Sequence, residues 1–217
     1  MAKGGRTSGL FITFEGGEGS GKTTQIKLLA DKLKAEGNDV VTTREPGGTS
    51  EAEKIRSLLV NRDGGDWTPV AEVLLLFAAR SMHVENLIKP ALAAGKTVIC
   101  DRFTDSTRAY QSYGHGLPIE TVESINTMTL NGFEPHMTFI LDLPVEAGLA
   151  RAGKRLAQDA SKEDRFEKLK TDFHERLRQG YLDIAKKNPR RCMVINADQS
   201  VEAVAAAIHS RLQKAAA

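Results

Sequence analysis

Residues 16–23 have the types and the spacing that hold a polyphosphate. They read Gly-Gly-Glu-Gly-Ser-Gly-Lys-Thr and satisfy the pattern GxxxxGK[ST] between an apolar run and an amphipathic segment. Inward-pointing backbone N–H groups bind phosphate oxygens, and glycines leave room for that approach and tolerate positive φ. The pattern predicts that Lys22 reaches the β- and γ-phosphates and that Thr23 contacts Mg²⁺. The residues assigned to this nucleoside triphosphate site are Gly16, Gly17, Glu18, Gly19, Ser20, Gly21, Lys22, Thr23 and Thr24.

Two aspartates end apolar, strand-like runs and could help to hold the Mg²⁺ ion. The runs 97–101 and 138–142 both have the Walker-B shape, so the pattern does not choose between Asp101 and Asp142. Only Asp101 is followed by an arginine, and the guanidinium of Arg102 is suited to bidentate contact with a second phosphoryl group. We therefore predict that Thr23 and Asp101 hold Mg²⁺, directly or through water.

Strand-like and helical segments alternate along the chain and must position these residues. The predicted strands are 10–14, 39–43, 97–100, 137–143 and 193–196. The predicted helices are 23–36, 52–60, 70–94, 106–113, 119–131, 146–152, 166–187 and 201–212, and the run VLLLFAA suggests that the helix within 70–94 is central and buried. Such an order predicts a three-layer α/β fold, in which about five parallel strands are flanked by helices. Ligands then bind at the carboxyl ends of the strands, where the polar segments lie.

The composition is that of one globular domain. The chain has 217 residues, 41% of them hydrophobic, and a formal net charge of only +2. This balance argues against a disordered chain and against a surface built to hold nucleic acid, and no apolar run approaches the length of a membrane span. Cys100 and Cys192 are too few for a disulfide scaffold and are expected to be reduced core residues. We expect a cytoplasmic protein with a flexible tail at 1–9 and a single domain at 10–214.

Five segments, taken together, resemble those of bacterial thymidylate kinases. They are Phe14–Thr24, Thr43–Thr49, Phe77–Arg80, Asp101–Phe103 and Ala109–Gln111. Arg-Glu-Pro-Gly-Gly-Thr at 44–49 discriminates best, because the phosphate loop is shared with many families. The resemblance runs from about Leu10 to Leu212. It implies a P-loop NTPase fold like that of the nucleoside monophosphate kinases, transfer of the γ-phosphoryl group of ATP to dTMP with Mg²⁺, and a homodimer.

The resemblance also implies which residues hold dTMP. Arg56, Arg80 and Arg102 match the positions around the acceptor phosphate, where guanidinium groups would offset the charge of two facing phosphates. Glu18 is implied to contact the region of the sugar 3′-hydroxyl or the metal shell, and family members have a cis peptide at the position of Glu45–Pro46. The implied acceptor residues are Glu18, Glu45, Pro46, Arg56, Phe77, Arg80, Arg102, Ser106, Thr107, Tyr110 and Gln111.

The segment Phe77–Arg80 leaves one alternative open. Arg80 lies on an otherwise apolar helical turn, where a charge is unfavourable without a partner. Phe77 is expected either to stack on the thymine ring or to belong to the core. Leu76 takes the place where the family commonly has an aromatic residue, so either Leu76 or Phe77 could line the base pocket.

A basic segment after the fourth strand predicts a mobile lid at about 153–165. The phosphate loop contains no Arg or Lys between Gly17 and Ser20, so the transferred group needs further positive charge. The basic residues available are Arg151, Lys154, Arg155, Lys162 and Arg165. Relatives with such a loop place the catalytic arginines in the lid. This implies that Arg155 is the first candidate for a catalytic lid residue and that Arg151 and Arg165 are the next ones. Lys22 and Arg102 are the catalytic candidates outside the lid. The alternative is that the basic segment is only a solvated loop and helix face.

Two other functions stay open on the residues alone. One is another small-acceptor P-loop kinase, such as a deoxynucleoside kinase, with the same fold and a different pocket. The other is a nucleotide-dependent switch or a partner-binding ATPase. No Asn-Lys-x-Asp guanine reader occurs in the sequence, and a switch has no need for three acceptor arginines.

Overall fold

A computed structural model of the protein describes residues 9–60, 65–156 and 169–216, without the side chains of 155, 156 and 216. Its strands are β1 (Phe11–Glu15), β2 (Val40–Arg44), β3 (Thr97–Asp101), β4 (Met137–Asp142) and β5 (Cys192–Asn196). They form one parallel sheet in the order β2-β3-β1-β4-β5. The predicted parallel sheet of five strands is therefore confirmed, with strand ends shifted by at most one residue.

Helices cover both faces of the sheet. The α-helices are α1 (Lys22–Ala35), α2 (Ser50–Val60), α3 (Pro69–His83), α4 (Lys89–Ala93), α5 (Thr104–Thr107), α6 (Ile119–Leu130), α7 (Val145–Leu156), α8 (Thr171–Lys187) and α9 (Val201–Ala216). Two π-helical segments, Val84–Ile88 and Arg108–Gly114, continue α3 and α5. Each lies where the sequence predicts one uninterrupted helix. No helix in these described stretches is long and apolar enough to cross a membrane.

Alternate residues of the central strands face two separate apolar cores. Ile12 and Phe14 of β1 pack with α1 and α9, whereas Phe11 of the same strand packs with α3 and α6. Cys100 and Cys192 are buried and form no disulfide. The sheet is thus covered on both faces, and the parallel register brings Phe14 level with Asp101. The carboxyl ends of β1 and β3 therefore meet at one edge.

Helix α3 is only partly buried, which corrects the expectation of a central, buried helix. Val73 and Phe77 face the core, but Val70, Leu74 and Met82 lie on the outer face, and 48% of the surface of Leu74 is exposed. The run is apolar around most of the helix, while the sheet covers only one side of it. The result is an exposed apolar stripe, Val70, Leu74 and Met82, on the surface of α3.

Candidate active site

The phosphate loop joins β1 to α1 and is closed around the amine of Lys22. Lys22 Nζ donates to the carbonyl oxygens of Gly16 and Gly17 at 3.1 and 3.0 Å. Gly21, with φ 89°, precedes the helix, and no side chain caps the first turn. The N–H groups of that turn therefore remain open to an anion. Burial, and then the nearby guanidinium of Arg102, lower the pKa of Lys22.

The backbone of helix α7 packs directly against the backbone of this loop. A Cβ atom on Gly19 would lie 2.1 Å from the carbonyl oxygen of Gly148, and a Cβ on Gly148 would lie 2.5 Å from that of Glu18. Gly19 also has φ 67°, which favours glycine. Both glycines are thus required by a close approach, and the first turns of α7 are held against the loop.

A cavity of about 480 Å³ lies over the loop, and we call it the donor cavity. It is lined by Glu18, Gly19, Ser20, Gly21, Lys22, Thr23, Thr24, Arg44, Glu45, Asp101, Arg102 and Arg151. Gly16 and Gly17 lie behind it, facing α7 and α8. Arg151 donates to the carbonyl oxygen of Ala197 at 3.4 Å, so the segment after β5 lies close to the cavity wall. The glycine loop, a lysine, a threonine and an aspartate thus surround one space.

The structure distinguishes the two candidate aspartates. Asp142 accepts two hydrogen bonds from Arg178, at 2.7 and 3.0 Å, and is committed to that pair. Asp101 lines the donor cavity, and its buried Oδ1 has no hydrogen-bond partner within the described residues. In those residues no group of three or more His, Cys, Asp or Glu side chains could hold a metal ion alone. Mg²⁺ commonly binds one or two protein oxygens and substrate phosphates, so Asp101 and Thr23 fit it.

Arg102 connects the phosphate loop to a second cavity. Its Nη1 donates to the carbonyl oxygen of Gly16 at 3.1 Å, the same oxygen that Lys22 contacts. Its Nη2 donates to Glu18 at 2.8 Å and to the hydroxyl of Tyr110 at 2.9 Å. Arg102 has φ 68°, an uncommon conformation for a large residue. The strand end thus turns so that the guanidinium points back at the loop.

Arg80 is buried and is held by three hydrogen bonds from two of its three guanidinium nitrogens. Its Nε donates to Glu45 at 2.6 Å, and its Nη2 donates to the hydroxyl of Thr107 at 2.9 Å and to the carbonyl oxygen of Phe103 at 3.2 Å. Glu45 also contacts His83 Nδ1 at 2.9 Å. The partner that a charge on this apolar helix requires is therefore Glu45, and the Glu45–Pro46 peptide is cis.

The second cavity, which we call the acceptor cavity, holds about 150 Å³. It is lined by Glu18, Glu45, Pro46, Leu59, Val60, Glu72, Leu76, Arg80, Arg102, Phe103, Ser106, Thr107, Tyr110 and Gln111. Nine of the eleven residues implied for dTMP are in this set. Glu18, Glu45 and Arg102 line both cavities, which are therefore neighbours.

Phe77 and Arg56 are the two implied acceptor residues that do not line the acceptor cavity. Phe77 is fully buried under the guanidinium of Arg80, with 4.7 Å from that group to the ring centroid. Leu76 lines the cavity instead, so of the two alternatives that the sequence left open, Phe77 belongs to the core and its assignment to the acceptor residues is corrected. Arg56 donates to the carbonyl oxygen of Pro46 at 2.9 Å and so reaches the cavity's edge through that residue.

Comparison with known proteins agrees with this geometry. A sequence profile for the family described as thymidylate kinase matches residues 14–208. The thymidylate kinase of Caulobacter vibrioides is 54% identical over 202 residues, which cover 93% of this chain and 95% of that protein. The thymidylate kinase of Geotalea uraniireducens is 49% identical over 201 residues, 92% and 94% of the two chains. The chain belongs to the thymidylate kinase family.

A solved structure of the same family has the same fold. The crystal structure of thymidylate kinase from Ehrlichia chaffeensis matches with a TM-score of 0.74 at 39% identity, and the match covers 94% of this chain and 98% of that one. The predicted P-loop fold with a parallel sheet of five strands is thus shown by a thymidylate kinase as well.

Several residues of this thymidylate kinase site are absent from the sequence prediction, among them three polar side chains. Glu15, at the end of β1, accepts from the backbone N–H of Phe103 at 2.8 Å and from Ser106 Oγ at 2.5 Å. Burial, and then the charge of nearby Asp105, raise the pKa of Glu15 to about 8. The signal available in the sequence was a glutamate placed directly after the apolar run 10–14.

The other two side chains come from α8, which the sequence does not connect to the site, and from α3, which it does. Tyr181, on α8, places its hydroxyl 3.0 Å from Arg102 Nη1 and 2.8 Å from Ser106 Oγ. Glu72, on α3, accepts from Gln111 Nε2 at 2.7 Å. Glu72 precedes Leu76 and Arg80 by four and eight residues, which is the spacing of one helical face.

The predicted lid is only partly covered by the structure. Arg151 lines the donor cavity. The side chain of Arg155 and all of Lys162 and Arg165 lie outside the described residues. The catalytic role implied for Arg155 and Arg165 therefore remains a prediction.

Proposed function

We propose that this member of the thymidylate kinase family transfers the γ-phosphoryl group of ATP to the phosphate of dTMP, giving dTDP. One observation carries the proposal. Lys22 and Arg102 donate to the same carbonyl oxygen, that of Gly16, while one lines the donor cavity and the other lines both cavities. Two phosphate-binding cations therefore meet at the boundary where a donor and an acceptor phosphate would face each other.

Transfer at this boundary depends on positioning and on positive charge. Phosphoryl transfer needs little covalent chemistry from the protein, so catalysis comes from in-line placement and from stabilising the charge on the moving group. Lys22 is placed to reach the donor phosphates, and Arg102 to hold the acceptor phosphate. Binding of ATP would bring negative charge to Lys22 and offset the burial that lowers its pKa.

Thr23 and Asp101 are the residues that would hold Mg²⁺, directly or through water. When bound, the ion supplies positive charge that offsets the charge of the donor phosphates. The chain's own part is to present Asp101 Oδ1, which is buried and has no partner in the described part of the chain, beside the phosphate loop. Asp142 has no such role, because Arg178 occupies both of its oxygens.

The acceptor cavity suits the edge of a thymine ring. Arg80 Nη1, a donor, and Gln111 Oε1, an acceptor, are buried without hydrogen-bond partners among the described residues. Thymine presents an acceptor, O4, next to a donor, N3–H, and would satisfy both atoms. Cytosine presents the reverse order and would satisfy neither. We infer that the base is read by this pair.

A coupled assay with ATP, Mg²⁺ and a panel of acceptors tests the proposal. We expect turnover of dTMP to dTDP, and Arg102→Ala should raise the KM for dTMP much more than the KM for ATP. Phosphorylation of thymidine with no activity on dTMP would instead support a deoxynucleoside kinase. ATP hydrolysis that no small acceptor changes would support a partner-binding ATPase.

We also propose that the protein is a cytoplasmic homodimer. The apolar stripe on α3 is an exposed surface that a second copy could cover, and Leu74 is its most exposed member. Two free, buried cysteines suit a reducing compartment. Light scattering after gel filtration should give the dimer mass for the wild type and the monomer mass for Leu74→Glu. A monomeric wild type would exclude the dimer.

A further inference from the structure

One side chain beside the base-reading pair has no role in the proposed function so far. Glu72 is 2% exposed and lines the acceptor cavity from α3. Its Oε1 accepts a hydrogen bond of 2.7 Å from Nε2 of Gln111, which is 1% exposed. A buried acid that contacts the amide of a base-reading residue controls which way that amide faces.

We propose that Glu72 is a positioning residue that sets the acceptor specificity of the enzyme by fixing the amide orientation of Gln111. The inference rests on the proposed function and deepens it. Oε1 of Glu72 accepts from Nε2 of Gln111 and so holds the –NH₂ end of the amide. The carbonyl Oε1 must then occupy the other position, where it has no partner within the described part of the chain.

The orientation of Gln111 matters because an amide can turn over at little steric cost. Its oxygen and nitrogen ends have nearly the same size, but one accepts and the other donates. With the oxygen towards the base, the site accepts from N3–H of thymine or uracil and repels the N3 lone pair of cytosine. With the nitrogen of the amide towards the base, the site would donate to N3 of cytosine and repel N3–H of thymine or uracil.

Arg80 does not share this freedom. Glu45 accepts from its Nε, Thr107 and the carbonyl oxygen of Phe103 accept from its Nη2, and a guanidinium is a donor in any orientation. The donor half of the base-reading pair is therefore fixed by chemistry and by contacts. Only the acceptor half, Gln111, needs a neighbour to choose its orientation, and that neighbour is Glu72.

Substitution Glu72→Gln tests the inference, because the new amide can either donate to or accept from Gln111. The readout is kcat/KM for dTMP, dUMP and dCMP. We expect the ratio of dTMP to dCMP to fall by about tenfold or more, the effect of losing one discriminating hydrogen bond. The ratio of dTMP to dUMP should not change, because the two rings share the same O4 and N3–H edge.

A swapped pair provides the rescue. In the double variant E72Q/Q111E, the amide now on α3 can donate to one oxygen of the carboxylate that replaces the amide of Gln111. The other oxygen of that carboxylate again faces the base as an acceptor. The double variant should regain most of the wild-type ratio of dTMP to dCMP. Glu85→Gln makes the same chemical change at an exposed ion pair with Lys89 and should leave all three acceptors unaffected.

The outcomes separate this inference from the proposed function. A wild-type ratio of dTMP to dCMP in E72Q would overturn the inference, and so would an equal loss on all three acceptors, which indicates a merely structural role. If E72Q does not fold, the swapped pair decides: retained preference supports the role, and lost preference refutes it. A wild type that phosphorylates none of the three refutes the proposed function, and calorimetric binding of dTMP and dCMP then tests Glu72.

Discussion

The two aspartates that share the Walker-B pattern should respond in opposite ways to the same substitution. Asp142→Asn removes a charge from a pair that has two hydrogen bonds, at 2.7 and 3.0 Å. The side chains of Arg178 and Asp142 are 34% and 21% exposed, so water screens their attraction and the pair contributes about 1 kcal/mol. In a chain of this size that lowers the Tm by about 2–4 °C. Activity should remain near the wild-type value.

Asp101→Asn should affect activity and leave stability nearly unchanged. Asp101 Oδ1 is buried without a hydrogen-bond partner among the described residues, so the folded protein gains little from its charge when no ligand is bound. Loss of a group that orients a metal typically reduces metal affinity or activity by about 10- to 100-fold. The Mg²⁺ concentration that gives half-maximal rate should rise as well.

Thermal unfolding and Mg²⁺ titration of the dTMP kinase rate, measured on both variants, check this reasoning. Each variant is the matched control of the other, because both change one strand-end aspartate to asparagine. If Asp142→Asn raised the Mg²⁺ requirement while Asp101→Asn only lowered the Tm, the assignment of the metal site would be reversed and therefore wrong.

The other predictions concern the phosphate loop, the lid and the buried acid. Lys22→Ala should abolish turnover while circular dichroism shows an intact fold, and residual turnover above about 1% would contradict its role. Arg155→Ala should lower kcat by about 100-fold with little change in KM, and a wild-type kcat would move that role to another basic residue. Glu15, whose pKa is raised from 4.5 to about 8, stays protonated up to a higher pH in the folded protein than in the unfolded one. Its contribution to the free energy of unfolding is complete below pH 4.5 and is lost as the pH rises to about 8. Urea unfolding of Glu15→Gln should therefore show a smaller loss of stability between these two pH values than the wild type. An equal loss in both proteins would refute the raised pKa of Glu15.

The fold and the phosphate loop could be predicted because their signals are local. The apolar runs that end in polar segments mark the strands, and the glycines with Lys22 mark the loop within eight residues. The structural distinction between Asp101 and Asp142 is not local, although the arginine that follows Asp101 already favoured that residue in the sequence. It depends on Arg178, which lies 36 residues beyond Asp142 and reaches it only because α8 packs beside β4.

The acceptor cavity was predicted in most of its residues but not in its buried supports. Each residue of an α-helix is rotated by about 100° from the one before it, which places Glu72, Leu76 and Arg80 on one face of α3. Phe77 points towards the sheet instead, so helical periodicity favours Leu76 as the residue that lines the cavity. Tyr181 gives no such signal, because it is 79 residues from Arg102 and its hydroxyl meets that side chain only in the folded chain. Long-range polar contacts of this kind follow from packing rather than from spacing.

The contact between Gly19 and Gly148 has a consequence for how the donor side of the enzyme responds to nucleotide. No side chain separates the two main chains there, so no rotamer change can absorb a shift of either one. A shift of the glycine-rich turn towards α7 would therefore push directly on the amino-terminal end of that helix, which leads into the basic segment.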